Sequence, residues 1–483
     1  MKRRPRASMN AYAGFRHSFL AYGPPGAGKT TWESQVAMPF PGAAFISSTR
    51  GDITRDTVMA RARGGFPVWW LNPRLDGGFP CNLQWSPLSG CQDYRVAMES
   101  AGALIHASPR NTDGASNWID AESKRFLQYL LHAAALSDYN IHAVRVWGAA
   151  PDLTAEPEGI LDGPNPSWAT ELQLMSRRAA VDPQFAEGIA GGIGAALAWL
   201  DDLVLAALAC PEPGQEFDIR EFIRSRGTVY VIAADSPNCT VSPYVACLAT
   251  AIWNTAKEMA ADPHEEAACN LRLDPPLLML IDEPDAGCPV PVGDWARTAG
   301  GDGITLVTGY QSDAQPRRRD GDHGGQVLED CFTVKLVFRG GTGPIYGKAA
   351  EWGGKHDTWD WVKNSDGSRT RQPRETETFS PQRIGNLDEG QVFVKVNGCR
   401  GFIAEVGLVT DHPLYEPADP DLFWDVPPKT PEQEAIAALF LYLTWLRTLL
   451  DMSLRRRALE PPSRVPALTG GEVPSWPHNP ASR

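Results

Sequence analysis

The sequence runs Gly23-Pro24-Pro25-Gly26-Ala27-Gly28-Lys29-Thr30 shortly after its N-terminus, and this stretch fits the pattern G-x-x-x-x-G-K-[ST] at every position. The pattern is typical of a phosphate-binding loop, because glycines let the backbone curve closely around phosphate groups with its N–H groups pointing inward. A short apolar run, Ser18–Tyr22, comes before the loop and predicts a buried strand. A helix is expected after the loop, over Thr30–Val36, and its N-terminus adds a positive end.

Two side chains of this loop have defined chemical roles. We expect the Lys29 ammonium group to reach the β- and γ-phosphates of ATP, and the Thr30 hydroxyl group to bind Mg²⁺. The predicted nucleotide-binding residues form one continuous run: Gly23, Pro24, Pro25, Gly26, Ala27, Gly28, Lys29, Thr30 and Thr31.

Short apolar runs elsewhere predict the other strands of the same domain. Each is typical of a central strand that is buried on both faces. The runs are Ala43–Ser47, Pro67–Leu71, Thr228–Ala233, Leu277–Ile281, Ile304–Thr308 and Thr333–Phe338. Gln391–Val406 adds a hairpin whose turn is Asn397-Gly398. The alternation of strands with helices predicts an α/β fold with a mostly parallel central sheet flanked by helices.

Helical periodicity replaces this alternation between residues 90 and 182, so we predict an all-α inserted domain there. The predicted domains are therefore a first part of the nucleotide-binding domain (12–89), the insertion (90–182), a second part (183–412), and a C-terminal segment (413–483). That last segment holds one apolar helix, Ala435–Leu454, and a tail rich in Pro, Ser and Gly that we expect to be disordered.

Carboxylates follow a predicted strand in the second half of the domain. Leu277–Ile281 leads directly into Asp282 and Glu283. A phosphate-loop ATPase needs one acid near Mg²⁺, for which we predict Asp282, and a group that polarises the attacking water, for which we predict Glu283. Gln311, at the end of the next strand, is the candidate contact to the γ-phosphate.

The composition is that of a globular protein, with 483 residues, 43% hydrophobic and 21% charged. The formal net charge of −13 argues against a surface that coats nucleic acid non-specifically, although a local basic patch remains compatible with it. The nine cysteines contain no C-x-x-C pair, which predicts reduced cytoplasmic thiols rather than a zinc ribbon.

The motifs together resemble those of the TraG/TraD-type coupling proteins of conjugative plasmids and type IV secretion. These proteins belong to the FtsK/HerA-like branch of P-loop ATPases, and actinobacterial members look most similar. The resemblance depends on the loop at 23–30, Ser47-Ser48-Thr49-Arg50-Gly51-Asp52, Trp85-Ser86-Pro87-Leu88, Leu280-Ile281-Asp282-Glu283, and Gln311-Ser312-x-x-Gln315.

The resemblance implies a RecA-like fold and a ring-shaped homo-hexamer. Such a ring hydrolyses ATP with Mg²⁺, accepts DNA bound to a relaxase, expected to be single-stranded, and feeds it to a type IV secretion or conjugation channel. It also implies that Gln311 senses the γ-phosphate and that the helical insertion recognises the relaxosome.

The sequence departs from that family in three places. No apolar segment of membrane-spanning length precedes the phosphate loop, and Pro284 directly follows the acidic pair. The family also tends to carry an arginine that acts across the ring just before the strand leading to the glutamine, where this sequence has residues 300–303, Gly-Gly-Asp-Gly. Arg297 is the nearest candidate for that arginine, and a surface charge at a helix end is the alternative.

Two further features leave alternatives open. The run Arg317-Arg318-Arg319 could face DNA phosphates or be a solvated charge cluster. The helix Ala435–Leu454, with Arg455–Arg457 after it, could pack on a core or a partner, attach peripherally to the inner face of the cell membrane, or span it. The alternative functions are a nucleotide-dependent module that recruits a relaxase with little or no translocation, and a regulatory P-loop ATPase.

Overall fold

The computed structural model describes residues 14–109, 116–236, 240–363 and 369–419. Eleven strands lie in these ranges. In chain order they are β1 (Phe19–Tyr22), β2 (Ala44–Ser48), β3 (Val68–Leu71), β4 (Thr228–Ile232), β5 (Leu277–Asp282), β6 (Ile304–Tyr310), β7 (Val334–Phe338), β8 (Lys355–Lys363), β9 (Arg369–Glu377), β10 (Gln391–Val396) and β11 (Phe402–Glu405).

Nine of these strands form one sheet in the order β11-β10-β7-β1-β6-β5-β2-β4-β3. All pairings among β1 to β7 are parallel, and only β10 and β11 join antiparallel, so the predicted mostly parallel sheet is confirmed. The central strands β5 and β6 are buried along their whole length, as their unbroken apolar sequences predict. The predicted hairpin at Gln391–Val406 is also confirmed, with Gly398 in the left-handed conformation at its turn.

The order of the strands positions the functional residues. β6 lies between the phosphate-loop strand β1 and the acidic strand β5. Tyr22 at the end of β1 is in register with Tyr310 at the end of β6, and Asp282 at the end of β5 is in register with Gly309. Because the strands are parallel, their carboxyl ends meet at one edge of the sheet, where a ligand crevice is expected in such folds.

Helices cover both faces of this sheet. The first two are α1 (Lys29–Ala37) and α2 (Asp52–Ala62), and a helical segment that follows β3 comprises α3 (Tyr94–Ala107), α4 (Ser116–Leu136), α5 (Ile141–Gly148), α6 (Ala155–Leu161), α7 (Pro166–Val181), α8 (Pro183–Ala196), α9 (Leu203–Leu208) and α10 (Ile219–Arg224). After β4 come α11 (Ser242–Ala261), α12 (Pro284–Gly287), α13 (Val292–Asp302), α14 (Ala314–Cys331), α15 (Pro344–Gly353) and α16 (Pro381–Gly385).

The helical segment is built around α4. This helix buries Phe126, Leu127, Leu130, Leu131 and Ala134, a stripe at helical spacing, and it packs against α3, α5, α6, α7 and α8.

The helices of this segment continue beyond the predicted boundary of the insertion at Asp182. The side chain of Asp182 caps α8 by accepting a hydrogen bond from the backbone N–H of Phe185 at 3.2 Å, and α8 packs on α4. The helical segment between β3 and β4 therefore extends to Arg224. The division of the chain into domains stays a prediction.

Two strands stand outside the main sheet. β8 and β9 pair with each other as an antiparallel ribbon that displays Trp359 and Trp361 to solvent. In the described ranges, no helix combines the length and the apolar character that crossing a membrane requires. The predicted apolar helix Ala435–Leu454, the arginines after it and the tail lie outside the described residues.

Candidate nucleotide-binding site

The phosphate loop has the backbone that its glycines predict. Gly26 has a φ of +75° and Gly28 a φ of +103°, in the left-handed region that a residue with a Cβ rarely adopts. At Gly23 a Cβ would approach the Cβ of Phe338 to 2.7 Å, so a side chain would push the loop off β7. The loop then leads directly into α1, which begins at Lys29.

Lys29 is held inside this loop. Its side chain is buried, and its ammonium group donates a hydrogen bond of 2.6 Å to the carbonyl oxygen of Gly23, at the other end of the loop. The ammonium group is thus positioned by the loop itself, where the loop's own N–H groups and the start of α1 add positive potential.

The acidic pair and the glutamine meet at the carboxyl ends of β5 and β6. The backbone N–H of Glu283 donates to the carbonyl oxygen of Gly309 at 3.0 Å, and Gln311 Nε2 donates to Glu283 Oε1 at 2.5 Å. Gln315 orients this contact by accepting a 2.6 Å hydrogen bond from the backbone N–H of Gln311. The sequence predicted Glu283 and Gln311 as separate candidates, and in the structure their side chains form a direct hydrogen bond.

Pro284 shapes the backbone of the acidic pair. It is the first residue of α12, where the fixed φ of proline is favourable, and it disfavours the right-handed helical region for the residue before it. Glu283 has φ 54° and ψ 65°, which is not the extended conformation that a following proline favours but a left-handed one that is strained for a residue with a side chain. Such strain is concentrated at functional sites, because the surrounding structure must enforce it.

Glu33 is a site residue that sequence reasoning missed. It lies one helical turn after Lys29 on the buried face of α1, and it is 0% exposed to solvent. Neither of its carboxyl oxygens has a hydrogen-bond partner, and the same is true of Asp282 Oδ1. Both carboxyl groups converge on Gly309, where an added Cβ would be 2.6 Å from Glu33 Oε1 and 3.0 Å from Asp282 Oδ1.

Burial controls the protonation of these two acids. Removal from water raises the pKa of Asp282 from its ordinary value to about 6, with a further contribution from the negative charge of Glu283. Lys29 and a 3.4 Å hydrogen bond from Ser48 Oγ oppose this rise. Burial also raises the pKa of Glu33 well above its ordinary value, and Asp282 adds to the effect while Lys29 opposes it.

These residues fit a magnesium-bound nucleotide. The left-handed glycines and the buried ammonium form a phosphate cradle, and the unpartnered carboxyl oxygens of Glu33 and Asp282 lie directly beside it, close enough for the charge of Lys29 to act on both. Buried acceptor oxygens without a partner cost free energy unless a cation or donor supplies one. Thr30, at the start of the same helix, is the loop hydroxyl available to Mg²⁺.

Arg297 is not part of this group of residues. It lies on α13 with an exposed side chain, and its contacts are a 3.4 Å ion pair with Asp294 and a 3.5 Å hydrogen bond to Cys331 Sγ. Its predicted action across a ring stays a prediction.

The arginine run on α14 includes one residue with structural contacts. Arg317 lies 3.6 Å from Asp313 and 3.4 Å from Glu329, and Lys348 on α15 pairs with Glu329 at 2.7 Å. A chain of charges therefore leads from the loop after Gln311 to α15. Arg317 is therefore engaged in ion pairs within the protein. The two interpretations of the arginine run, contact with DNA phosphates and a solvated charge cluster, stay predictions.

Comparison with known proteins supports the family indicated by the motifs. Residues 276–389 match the family model for the TraM recognition site of TraD and TraG. The resemblance to TraG/TraD-type coupling proteins is confirmed. The matched part of the chain contains the acidic strand, Gln311 and the α14–α15 region. No curated protein sequence matches the chain.

Solved structures share the fold of this chain. The bacterial conjugative coupling protein TrwBdeltaN70 in its unbound monoclinic form has a TM-score of 0.59 and 17% identity, covering 83% of this chain and 87% of that one. The plasmid coupling protein TrwB in complex with ADP and Mg²⁺ has a TM-score of 0.57 and 16% identity, covering 83% and 88%. The complex of TrwB with the ATP analogue ADPNP gives the same values. The predicted RecA-like α/β fold is thus confirmed.

Proposed function

We propose that this protein is the ATP-hydrolysing coupling protein of a conjugative DNA-transfer system and that it moves DNA. One observation carries the proposal. Glu283 and Gln311 are hydrogen-bonded at the ends of adjacent strands, beside the strand that leads into the phosphate loop. This arrangement joins a phosphate-binding loop to a water-polarising acid and to a residue that can sense the γ-phosphate.

Each residue has a distinct role in the proposed reaction. Lys29 binds and neutralises the phosphate oxygens from inside the loop, and Thr30 and Asp282 hold Mg²⁺. Bound Mg²⁺ supplies charge neutralisation at the β- and γ-phosphate oxygens. Glu283 accepts a proton from the attacking water, and the hydrogen bond from Gln311 positions its carboxyl group. Gln311 donates a hydrogen bond to Glu283. ATP hydrolysis is therefore linked to the position of the loop between β6 and α14, which carries Gln311.

The partners of this motor follow from the family. The match at residues 276–389 and the similarity to TrwB, a bacterial conjugative coupling protein, support DNA and a relaxosome as partners. A homo-hexameric ring, a relaxase docked on the helical insertion, a role for Arg297 across the ring, and attachment at the inner face of the cell membrane are parts of the same proposal. The cofactors are ATP and Mg²⁺, in keeping with the TrwB complexes.

ATP hydrolysis by the purified full chain, titrated with single- and double-stranded DNA, tests the motor. We expect DNA to stimulate hydrolysis, Lys29→Ala to abolish nucleotide binding, and Glu283→Gln to abolish turnover while nucleotide still binds. Arg55→Gln is the matched control, because Arg55 is exposed on α2 and pairs only with acids of its own helix among the described residues.

Electron microscopy with ATP gives the second measurement, namely whether a ring forms. Nucleotide binding with very slow hydrolysis, no response to DNA and no ring would contradict the motor. That result would favour the alternative, a nucleotide-dependent recruitment module.

A further inference from the structure

The Glu33 side chain is a buried carboxyl group that the proposed roles leave unused. Its two oxygens are buried without a partner, on a helix whose neighbouring turn carries the phosphate-binding Lys29. A buried carboxyl group without a hydrogen-bond partner costs free energy whether it is ionised or neutral, so a purely structural role at this position would favour an apolar residue. Glutamate at such a position therefore points to a ligand.

The sheet provides a space for this carboxyl group. Ala21, Gly309 and Asp282 form one row across three neighbouring strands at the carboxyl edge. On the next strand, the hydroxyl group of Ser48 donates a hydrogen bond to Asp282. Ala21 and Gly309 are the two smallest residue types. A methyl group added at Gly309 would lie 2.6 Å from Glu33 Oε1, so the glycine leaves room for that carboxyl group. The row thus admits the Glu33 carboxyl group beside that of Asp282.

The nearest cation of the protein does not use this space. Lys29 directs its ammonium group to the carbonyl oxygen of Gly23 at 2.6 Å, and no hydrogen bond or ion pair between Lys29 and Glu33 is present. In the described ranges, no group of three or more His, Cys, Asp or Glu side chains could hold a metal ion without help. A cation beside Glu33 and Asp282 would therefore take its further ligands from the nucleotide phosphates and from water.

We propose that Glu33 is a second carboxylate for the nucleotide-bound Mg²⁺, which it contacts with Asp282 through the water molecules on that ion. The inference rests on the proposed nucleotide site and adds a residue to it. Mg²⁺ retains several of its waters in proteins, and carboxylates that accept hydrogen bonds from them position the ion. Glu33 lies three residues after Thr30 on α1, so the hydroxyl ligand and the carboxylate are neighbours on one helix.

The test is the effect of Mg²⁺ on ADP affinity, measured by calorimetry on the full chain with Mg²⁺ and again with EDTA. The dissociation constant of ADP in EDTA divided by that in Mg²⁺ reports how much the ion contributes to binding. We expect Glu33→Gln to reduce this ratio about 10- to 100-fold, the size that loss of an outer ligand to a metal causes, and to leave the EDTA value unchanged. Mn²⁺ bound with ADP, followed by electron paramagnetic resonance, should show a matching loss of affinity.

Two further variants make the result specific. Glu33→Asp keeps the charge and should recover part of the ratio, and it also serves if Glu33→Gln does not fold. Glu156→Gln is the matched control. Glu156 is a buried glutamate in the helical segment, and its carboxyl group accepts hydrogen bonds from the side chains of Tyr139 and Trp147. It should leave the ratio at the wild-type value.

Each outcome is decisive. An unchanged ratio in a folded Glu33→Gln protein that binds ADP would overturn the inference while leaving the nucleotide site intact. A change confined to the EDTA value would overturn it as well, because Glu33 would then act on the loop and not on the ion. If the wild-type chain bound no nucleotide, the proposed function itself would fail.

Discussion

Gly309→Ala tests the packing at the carboxyl edge of the sheet. The new methyl group would be 2.6 Å from Glu33 Oε1, and ordinary contact begins at 3.4 Å, so one of the groups must move by about 0.8 Å. Glu33 and Asp282 are both buried and cannot turn into solvent. Overpacking of this kind costs about 1 to 3 kcal/mol, and replacing a strand glycine by alanine returns about 0.5 to 1 kcal/mol. The difference between the two is a net destabilisation of about 1 kcal/mol, with an upper bound of about 2.5 kcal/mol.

Urea denaturation followed by tryptophan fluorescence measures this loss as a lower midpoint at unchanged slope. A double-mutant cycle with Glu33→Ala identifies the clash. In the Glu33→Ala background the cost of Gly309→Ala should fall by about 1 kcal/mol, because residues in contact do not act independently. The ATPase rate should fall with Gly309→Ala as well, since the methyl group displaces Asp282 or Glu33.

Gly301→Ala is the matched control. Gly301 is exposed on α13 with no atom within 4 Å of an added Cβ, so this change should be neutral or stabilise by up to about 1 kcal/mol. The reasoning would be refuted if Gly309→Ala were as stable as the wild type, or if its cost were the same with and without the Glu33 carboxyl group.

Three other outcomes are expected. Gln311→Ala should lower kcat about 10²- to 10³-fold with little change in nucleotide affinity, because the hydrogen bond that orients Glu283 is lost. Single-turnover kinetics and nucleotide titration measure the two quantities, and an equal loss in both would contradict this prediction. Arg61→Met should destabilise the protein by about 3 to 5 kcal/mol, because the buried guanidinium group donates hydrogen bonds to the carbonyl oxygens of Phe40 and Gly42 at 2.5 and 2.7 Å. Thermal unfolding measures this loss, and a melting temperature near that of the wild type would contradict the prediction. Burial lowers the pKa of His142, so the stability contributed by its neutral form is complete above the unfolded pKa of about 6.5 and is lost as the pH falls. Between pH 7.5 and pH 5.5 the melting temperature of His142→Gln should therefore fall less than that of the wild type. Equal decreases would exclude His142 as a cause.

Local patterns of the sequence were sufficient for the phosphate loop and the strands. The loop needs only consecutive residues, because left-handed glycines and a helix start create the cradle without distant partners. The apolar runs of β5 and β6 predicted buried strands for a similar reason, since burial on both faces requires an unbroken apolar sequence. Asp282 and Glu283 were recognisable as candidate site residues because they directly follow such a run.

The end of the helical segment could not be predicted in the same way. Asp182 precedes a proline and ends α7, which is a valid local signal for a boundary. The same residue caps α8, and α8 packs on α4 with buried Phe185 and Ile189. Whether a helix continues a helical layer or begins another unit depends on which apolar face it meets, and that contact is not local.

Residue order alone determined that this chain has a phosphate loop, a parallel sheet and an acidic strand end, because each depends on neighbours within one loop or one strand. Only the tertiary structure decided that Glu33, one turn after Lys29, shares its space with Asp282 and that Gln311 bonds Glu283. The i, i+4 spacing of Lys29 and Glu33 was a usable signal that both lie on one face of α1. What this face meets depends on the parallel register that places Gly309 beside Asp282, and strand register joins residues far apart in sequence.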